Sequence, residues 1–189
     1  NFKELLEVAI NASIKGGDAI MDVYASDFAV EHKDDKSPLT LADKNCNEVI
    51  EEYLIPTNIP ILSEEGAKIS FSERKNWEYS WLVDPLDGTK EFIKRNGEFT
   101  VNIALIHNHH AILGVIYAPV QGVIYHAYKG SGAYKIEGLN EAESISVQSK
   151  RRTPMIVTCG NNLPGEQFEY LIKQLGEVEF LAMGSSLKS

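Results

Sequence analysis

The chain has 189 residues, a formal net charge of −9, 43% hydrophobic residues and 24% charged residues. That length fits one domain or slightly more and buries on the order of 70% of the unfolded surface, enough for a core without staples. The composition excludes intrinsic disorder, and no apolar run approaches the roughly 18–20 residues of a membrane span. No charged-then-apolar leader is visible, although the sequence opens on Asn1 rather than Met. The 27 acidic residues against 18 basic ones argue against a basic face for long nucleic acid. A small phosphorylated ligand stays open, because bound cations reverse a local field. Cys46 and Cys159 match no metal or redox spacing. We read them as half-buried thiols in a reducing, cytoplasmic compartment; a peripheral position on the inner membrane face would leave no mark on the sequence.

Apolar residues at Phe2, Leu5, Leu6, Ala9, Ala12, Ala19, Ile20 and Val23 fall three and four apart, the stripe of an amphipathic helix over 2–25. Gly16 and Gly17 interrupt it and point to a close helix contact, since mid-helix Gly otherwise costs roughly 1 kcal/mol. Residues 31–38 read as a loop. Thr40 opens a second helix through about Leu54, with Thr40 and Asp43 at capping-box spacing. A strand at 59–62 ends in Ser63-Glu64-Glu65-Gly66, and 66–79 reads as a mobile loop. A second strand, 80–83, ends in Asp84, and a short helix runs from Thr89 to about Lys94. Strands follow at 100–106, 111–117, 122–128, 132–136, 144–147 and 155–158, joined by short turns as in an antiparallel meander. A helix from Pro164 to about Leu175 and a strand at 178–182 complete the pattern. The ending at Gly184-Ser185-Ser186-Leu187-Lys188-Ser189 falls mid-pattern and reads as a truncation.

The stretch Trp81-Leu82-Val83-Asp84-Pro85-Leu86-Asp87-Gly88-Thr89 carries the chemistry. Two carboxylates three apart leave the carboxyl end of a buried strand. Pro85 fixes the turn, and Gly88 permits an unusual backbone angle. The strand-to-helix junction aims the N–H groups of Gly88 and Thr89 outward, a cradle for phosphate. Carboxylate oxygens and the Leu86 carbonyl are the hard ligands that Mg²⁺ selects. If the strand before Glu64 neighbours Trp81–Val83, then Glu64, Asp84 and Asp87 converge beside Asp43. Repulsion among four acids is relieved by divalent cations, and two of them about 4 Å apart make a phosphoryl-transfer site. Thr89, backed by Asp43 or Glu64, would orient the attacking water and take its proton. Blander readings stand beside these: Asp-Pro-x-Asp-Gly as a turn, Asp43 as a helix cap, Glu64-Glu65 as a solvated loop.

Ser63-Glu64-Glu65 and Trp81 to Phe92 together resemble the signature of the inositol monophosphatase superfamily. Within it, Lys90 to Ile106 resembles the CysQ type of 3'(2'),5'-bisphosphate nucleotidase. So do Ser37-Pro38-Leu39-Thr40 with Asp43, Gly114 to Pro119, and Gly184 to Lys188. Inositol phosphatases more often carry Thr-Asn-Phe where this chain has Lys90-Glu91-Phe92. The resemblance implies the layered α/β (α+β) sandwich of the sugar phosphatases. Residues 1–128 would form an amino-terminal α+β part carrying the metal site, and 129–189 the start of an incomplete carboxyl-terminal α/β part. It implies a lithium-sensitive, Mg²⁺-dependent phosphatase, with two or three ions in a complete chain. Its substrates would be adenosine 3',5'-bisphosphate and its sulfated form PAPS, cleaved through a metal-activated water in sulfur metabolism, without a phosphoenzyme. Glu64, Asp84 and the Leu86 carbonyl would hold the first Mg²⁺, and Asp84 and Asp87 the second. Thr89, with Asp43 or Glu64, would be catalytic. Glu64, Leu86, Asp87, Gly88, Thr89, Ser186 and Lys188 would meet the substrate.

Two departures qualify the resemblance. Family members continue into a Trp-Asp pair whose Asp completes the second metal site, and related sequences often carry Ser-Arg-Ser-His where this chain has Cys159-Gly160-Asn161-Asn162. The alternatives are therefore an inositol or sugar monophosphate phosphatase, and an inactive phosphate-binding fragment. His107, His109 and His110 read as a solvated hairpin turn rather than a metal site. Lys94-Arg95, Lys129 and Lys150-Arg151-Arg152 read as solvated basic faces rather than phosphate anchors. Trp81 reads as core, and Trp77 stays open between packing and base stacking. The sequence leaves oligomeric state open.

Overall fold

The computed structural model describes residues 1–26, 38–150, 152–160 and 175–188. Helix α1 spans Phe2–Tyr24 and opens on Asn1, whose side chain accepts the Lys3 N–H. Gly16 and Gly17 do not break it. A Cβ on Gly16 would stand 2.8 Å from Cys46 Sγ, and one on Gly17 would stand 2.4 Å from the Tyr117 ring. The two glycines thus let a second helix and the sheet close on α1. At its carboxyl end Arg95 donates to the Tyr24 carbonyl at 2.7 Å, with the guanidinium 4.9 Å from the Tyr24 ring centre. Arg95 is thus neither a free solvated cation nor a phosphate anchor: it satisfies carbonyls that the end of α1 leaves open.

Helix α2 spans Pro38–Leu54 and starts two residues before the expected Thr40. Pro suits a first helical turn, where its missing N–H has no intrahelical role. Thr40 and Asp43 therefore lie inside the helix, and the capping-box and cap readings of Asp43 fail. The expected loop at 31–38 falls outside the described residues except for Pro38, which is helical.

Seven strands form one sheet in sequential order: β1 (Ile61–Ser63), β2 (Tyr79–Asp87), β3 (Thr100–His107), β4 (His110–Ala118), β5 (Val123–Tyr128), β6 (Gly132–Glu137) and β7 (Glu143–Ile145). β1 runs parallel to β2, with Ile61 opposite Trp81 and Ser63 opposite Val83. The remaining neighbours are antiparallel, as the meander reading expected. The expected loop 66–79 carries a short helix, α3 (Phe71–Arg74), capped by Ser70. β2 does not stop at Val83. It runs on through Pro85 to Asp87, with its register against β3 shifted between Asp84 and Asp87. Helix α4 (Thr89–Lys94) follows.

The strand expected near 155–158 does not extend the meander. As β8 (Met155–Cys159) it pairs in parallel with β9 (Val178–Ala182) in a separate two-stranded sheet. The helix expected from Pro164 lies, apart from Leu175, outside the described residues. A 3-10 turn, Ser185–Lys188, comes last.

The core lies between α1, α2 and one face of the sheet. Ile20, Cys46, Ile50 and Leu54 meet Trp81, Ile103 and Leu105 there, all fully buried. Trp81 is core as expected, and its indole N–H donates to Thr57 Oγ1 at 3.0 Å. His107, His109 and His110 form a hairpin end in which His107 stacks on Tyr79, 4.3 Å between ring centres. Among the described residues no helix is long and apolar enough to cross a membrane.

Candidate active site

The acids gather where β1 and β2 end side by side. The Glu64 N–H donates to the Val83 carbonyl at 3.1 Å, so Glu64 is held next to Asp84. This is the neighbour relation on which the convergence reading depended. Asp43 enters from α2. Burial pushes its carboxyl up to about 7, with the charges of Glu65, Asp84 and Glu64 adding to the effect. Asp84 is pushed up to about 6, first by burial and then by Asp87 and Glu64, against hydrogen bonds from Asn102 and the Leu86 N–H. Burial first, and then the neighbouring carboxylates, explain both shifts.

Other contacts brace the site from behind. The buried Cys46 thiol donates to the Pro85 carbonyl at 3.2 Å, and burial pushes that thiol well above its ordinary range. Ser63 Oγ donates to Asn47 Oδ1, which ties the end of β1 to α2. Gly88, at φ 97°, turns the chain from β2 into α4. A Cβ there would meet the Glu98 carbonyl oxygen and Ser185 Cβ, each at 3.0 Å, so only glycine fits.

Asp87 has a partner that the motif alone does not reveal. Its Oδ2 accepts the Ser186 N–H at 2.5 Å and the Ser186 hydroxyl at 2.9 Å. Asn102 Nδ2 donates to Ser186 Oγ at 3.2 Å. The last described segment is therefore drawn onto the acid motif. Between that segment and the start of α4 lies a cavity of about 260 Å³, lined by Asp87, Gly88, Thr89, Lys90, Gly160 and Met183 among others. Thr89 is exposed at the first position of α4. Among the described residues no hydrogen bond joins it to Asp43 or Glu64. Of Lys188 only the backbone is described, so the expectation for its side chain lies outside the described residues.

The donor set fits a hard divalent cation. Its oxygens come from carboxylates and a carbonyl, and Asp43 Oδ1 is buried without a hydrogen-bond partner. Among the described residues no three His, Cys, Asp or Glu side chains close into a finished metal cage.

The comparisons decide the ancestry. The model of the inositol monophosphatase family matches residues 1–171. The chain belongs to the inositol monophosphatase family. It is 46% identical over 188 residues to the 3'(2'),5'-bisphosphate nucleotidase CysQ of Salmonella typhimurium, covering 97% of this chain and 74% of that relative. The protein of that name from Buchnera aphidicola is 39% identical over 191 residues, covering 99% and 71%. The crystal structure of CysQ from Bacteroides thetaiotaomicron, a bacterial member of this family, superposes with a TM-score of 0.88 at 39% identity, over 100% of this chain and 75% of that one. The inositol monophosphatase of Anabaena shares the fold at 23% identity, with a TM-score of 0.72 over 98% and 68%. The layered α+β fold expected from the sequence is thus the family's fold.

Sequence reasoning placed Glu65 with Glu64 but gave it no role, and missed Asn102 and Glu98, whose carboxylate accepts the Gly184 N–H. Asn102 carried a usable signal: it is a polar residue inside the apolar run Thr100 to Ile106, opposite Asp84 in the register. Glu98 carried none, because its partner lies far along the chain.

Proposed function

We propose that this chain is a 3'(2'),5'-bisphosphate nucleotidase that removes the 3'-phosphate of adenosine 3',5'-bisphosphate, giving AMP, and of PAPS, giving APS. The observation that carries this reading is the 46% identity, over 97% of the chain, with a CysQ nucleotidase. The acid gathering beside a cavity of about 260 Å³ supports it. Mg²⁺ is the cofactor we assign, with Glu64, Asp84 and the Leu86 carbonyl as one ligand group and Asp84 and Asp87 as a second. When bound, such cations neutralise phosphate charge and acidify water.

The chain's own residues do the rest. The Gly88 and Thr89 N–H groups face the phosphate to be cleaved, at the start of α4. Thr89 Oγ1 orients the attacking water, with Asp43 or Glu64 behind it as proton acceptor. Asp43 is partly buried beside Glu64 and Asp84, so its carboxyl takes up a proton more readily than an exposed one. Ser186, fixed by Asp87, forms the floor next to the nucleotide, with Lys188 following it in the same turn. Both cysteines are free, which fits a reducing, cytoplasmic compartment.

The test is phosphate release from adenosine 3',5'-bisphosphate, PAPS and inositol 1-phosphate, with Mg²⁺, with chelator, and with added lithium. We expect Mg²⁺-dependent release that favours the nucleotides and falls with lithium. A preference for inositol 1-phosphate would keep the family and discard the substrate.

A further inference from the structure

The cavity wall opposite α4 is fastened by a residue outside the acid gathering. Glu98 precedes β3, and its Oε2 accepts the Gly184 N–H at 2.9 Å. Asn96 steadies it on both sides: Nδ2 of Asn96 donates to the same oxygen at 3.4 Å, and the Glu98 N–H donates to Asn96 Oδ1 at 3.0 Å. The junction leaves no room for a side chain. A Cβ on Gly184 would lie 2.4 Å from Glu91 Cγ and 3.1 Å from Glu98 Oε2. Gly184 is buried, and Ser185 beyond it turns the chain at φ 49° so that Ser186 reaches Asp87. A carboxylate holding a backbone N–H away from water makes a charge-assisted bond, stronger than a neutral one.

We propose that Glu98 is a positioning residue: through Gly184 it sets the distance between the 183–186 wall and the start of α4, and with it the affinity for substrate rather than the rate of cleavage. This rests on the reading of the cavity as the nucleotide site. Glu98 does not itself line that cavity. A wall freed from Glu98 would still carry Ser186 but would hold it in many positions, and ordering it each time substrate binds costs affinity.

The experiment compares E98A, E98D and E98Q with the parent chain in two readouts. In steady-state hydrolysis of adenosine 3',5'-bisphosphate, E98A should raise KM about tenfold or more, the scale of one lost charge-assisted bond, with kcat within about twofold. E98D, one methylene short, should behave like E98A. E98Q keeps an acceptor oxygen without the charge, so its KM should fall between those of E98A and the parent. In amide hydrogen exchange followed by NMR, the Gly184 N–H should exchange faster in E98A and E98D, while core amides such as that of Ile103 stay unchanged. An unaltered KM and unaltered Gly184 exchange in E98A and E98D would overturn the proposal. So would an E98Q no better than E98A, or a loss confined to kcat. If the parent chain does not hydrolyse the nucleotide, the functional reading falls, while Gly184 exchange still decides whether Glu98 fastens the wall. If E98A does not fold, E98D and E98Q decide it.

Discussion

The two faces of β2 show how one strand serves stability and chemistry at once. Trp81 and Val83 point under α1 and α2 and are sealed, with Trp81 at 0% exposure. Leu82 and Asp84 alternate to the other face, where Leu82 is 47% exposed and a groove of about 340 Å³ runs over Asn102, Gly114 and Ser186. The period of two that buries one set of side chains delivers the other set to the site. On the sealed face, shape complementarity holds the strand. The open face carries Asp84 beside the groove, and at the strand end Asp84 meets Glu64 and, from α2, Asp43.

Substitutions can break that contrast. The largest effect belongs to D84N. Activity should fall more than the about 10–100-fold that losing a supporting group costs a metal site. In chelated buffer at pH 8 the melting temperature should not drop, because one repelling charge has gone. A parallel loss of fold, seen by thermal unfolding, would show that Asp84 belongs to the core instead. Next comes the paired test W81A and L82A. The first should cost about 3–5 kcal/mol by denaturant unfolding, as large-to-small core changes do. The second should cost about 0.5 kcal/mol, as at an exposed site. Equal costs would erase the difference between the faces. G17A should then cost about 1–3 kcal/mol, because its Cβ would lie 2.4 Å from the Tyr117 ring.

The smallest effect is the pH slope of the cation-free chain. Asp43 and Asp84 are raised from 3.8 to about 7 and about 6, so the folded state holds their protons more tightly than the unfolded state. Their contribution to stability is full at low pH and is lost as pH climbs from about 4 through about 7. Melting temperatures in chelator should therefore decline across that window more steeply for the parent chain than for D43N. Mg²⁺ at pH 8 should recover the loss. Identical slopes for the two proteins would mean that neither burial nor its acidic neighbours raise the Asp43 carboxyl.

How much of this was legible beforehand depends on whether the cause was local. Spacings of three and four wrote out α1, and alternation with short turns wrote out β3 to β7, because each depends on near neighbours in sequence. The acid motif stood out because Asp, Pro and Gly sit together after an apolar strand. What escaped were partners supplied by distant segments. β2 looks finished at Val83 until β3 arrives to pair with Asp84 and Asp87. β8 looks like one more meander strand, yet its mate β9 lies beyond residue 175. Arg95 looks solvated until the end of α1 is brought beside it.

Cys46 gives this architecture a built-in clock. Its sulfur is wedged against Gly16 of α1, belongs to α2, and donates to the backbone of the acid motif at Pro85. A thiol reagent can reach it only when the helical layer lifts from the sheet. The rate at which Cys46 is alkylated therefore reports how often that layer opens. Cys159, half-exposed on the second sheet, supplies the reference rate from within the same molecule.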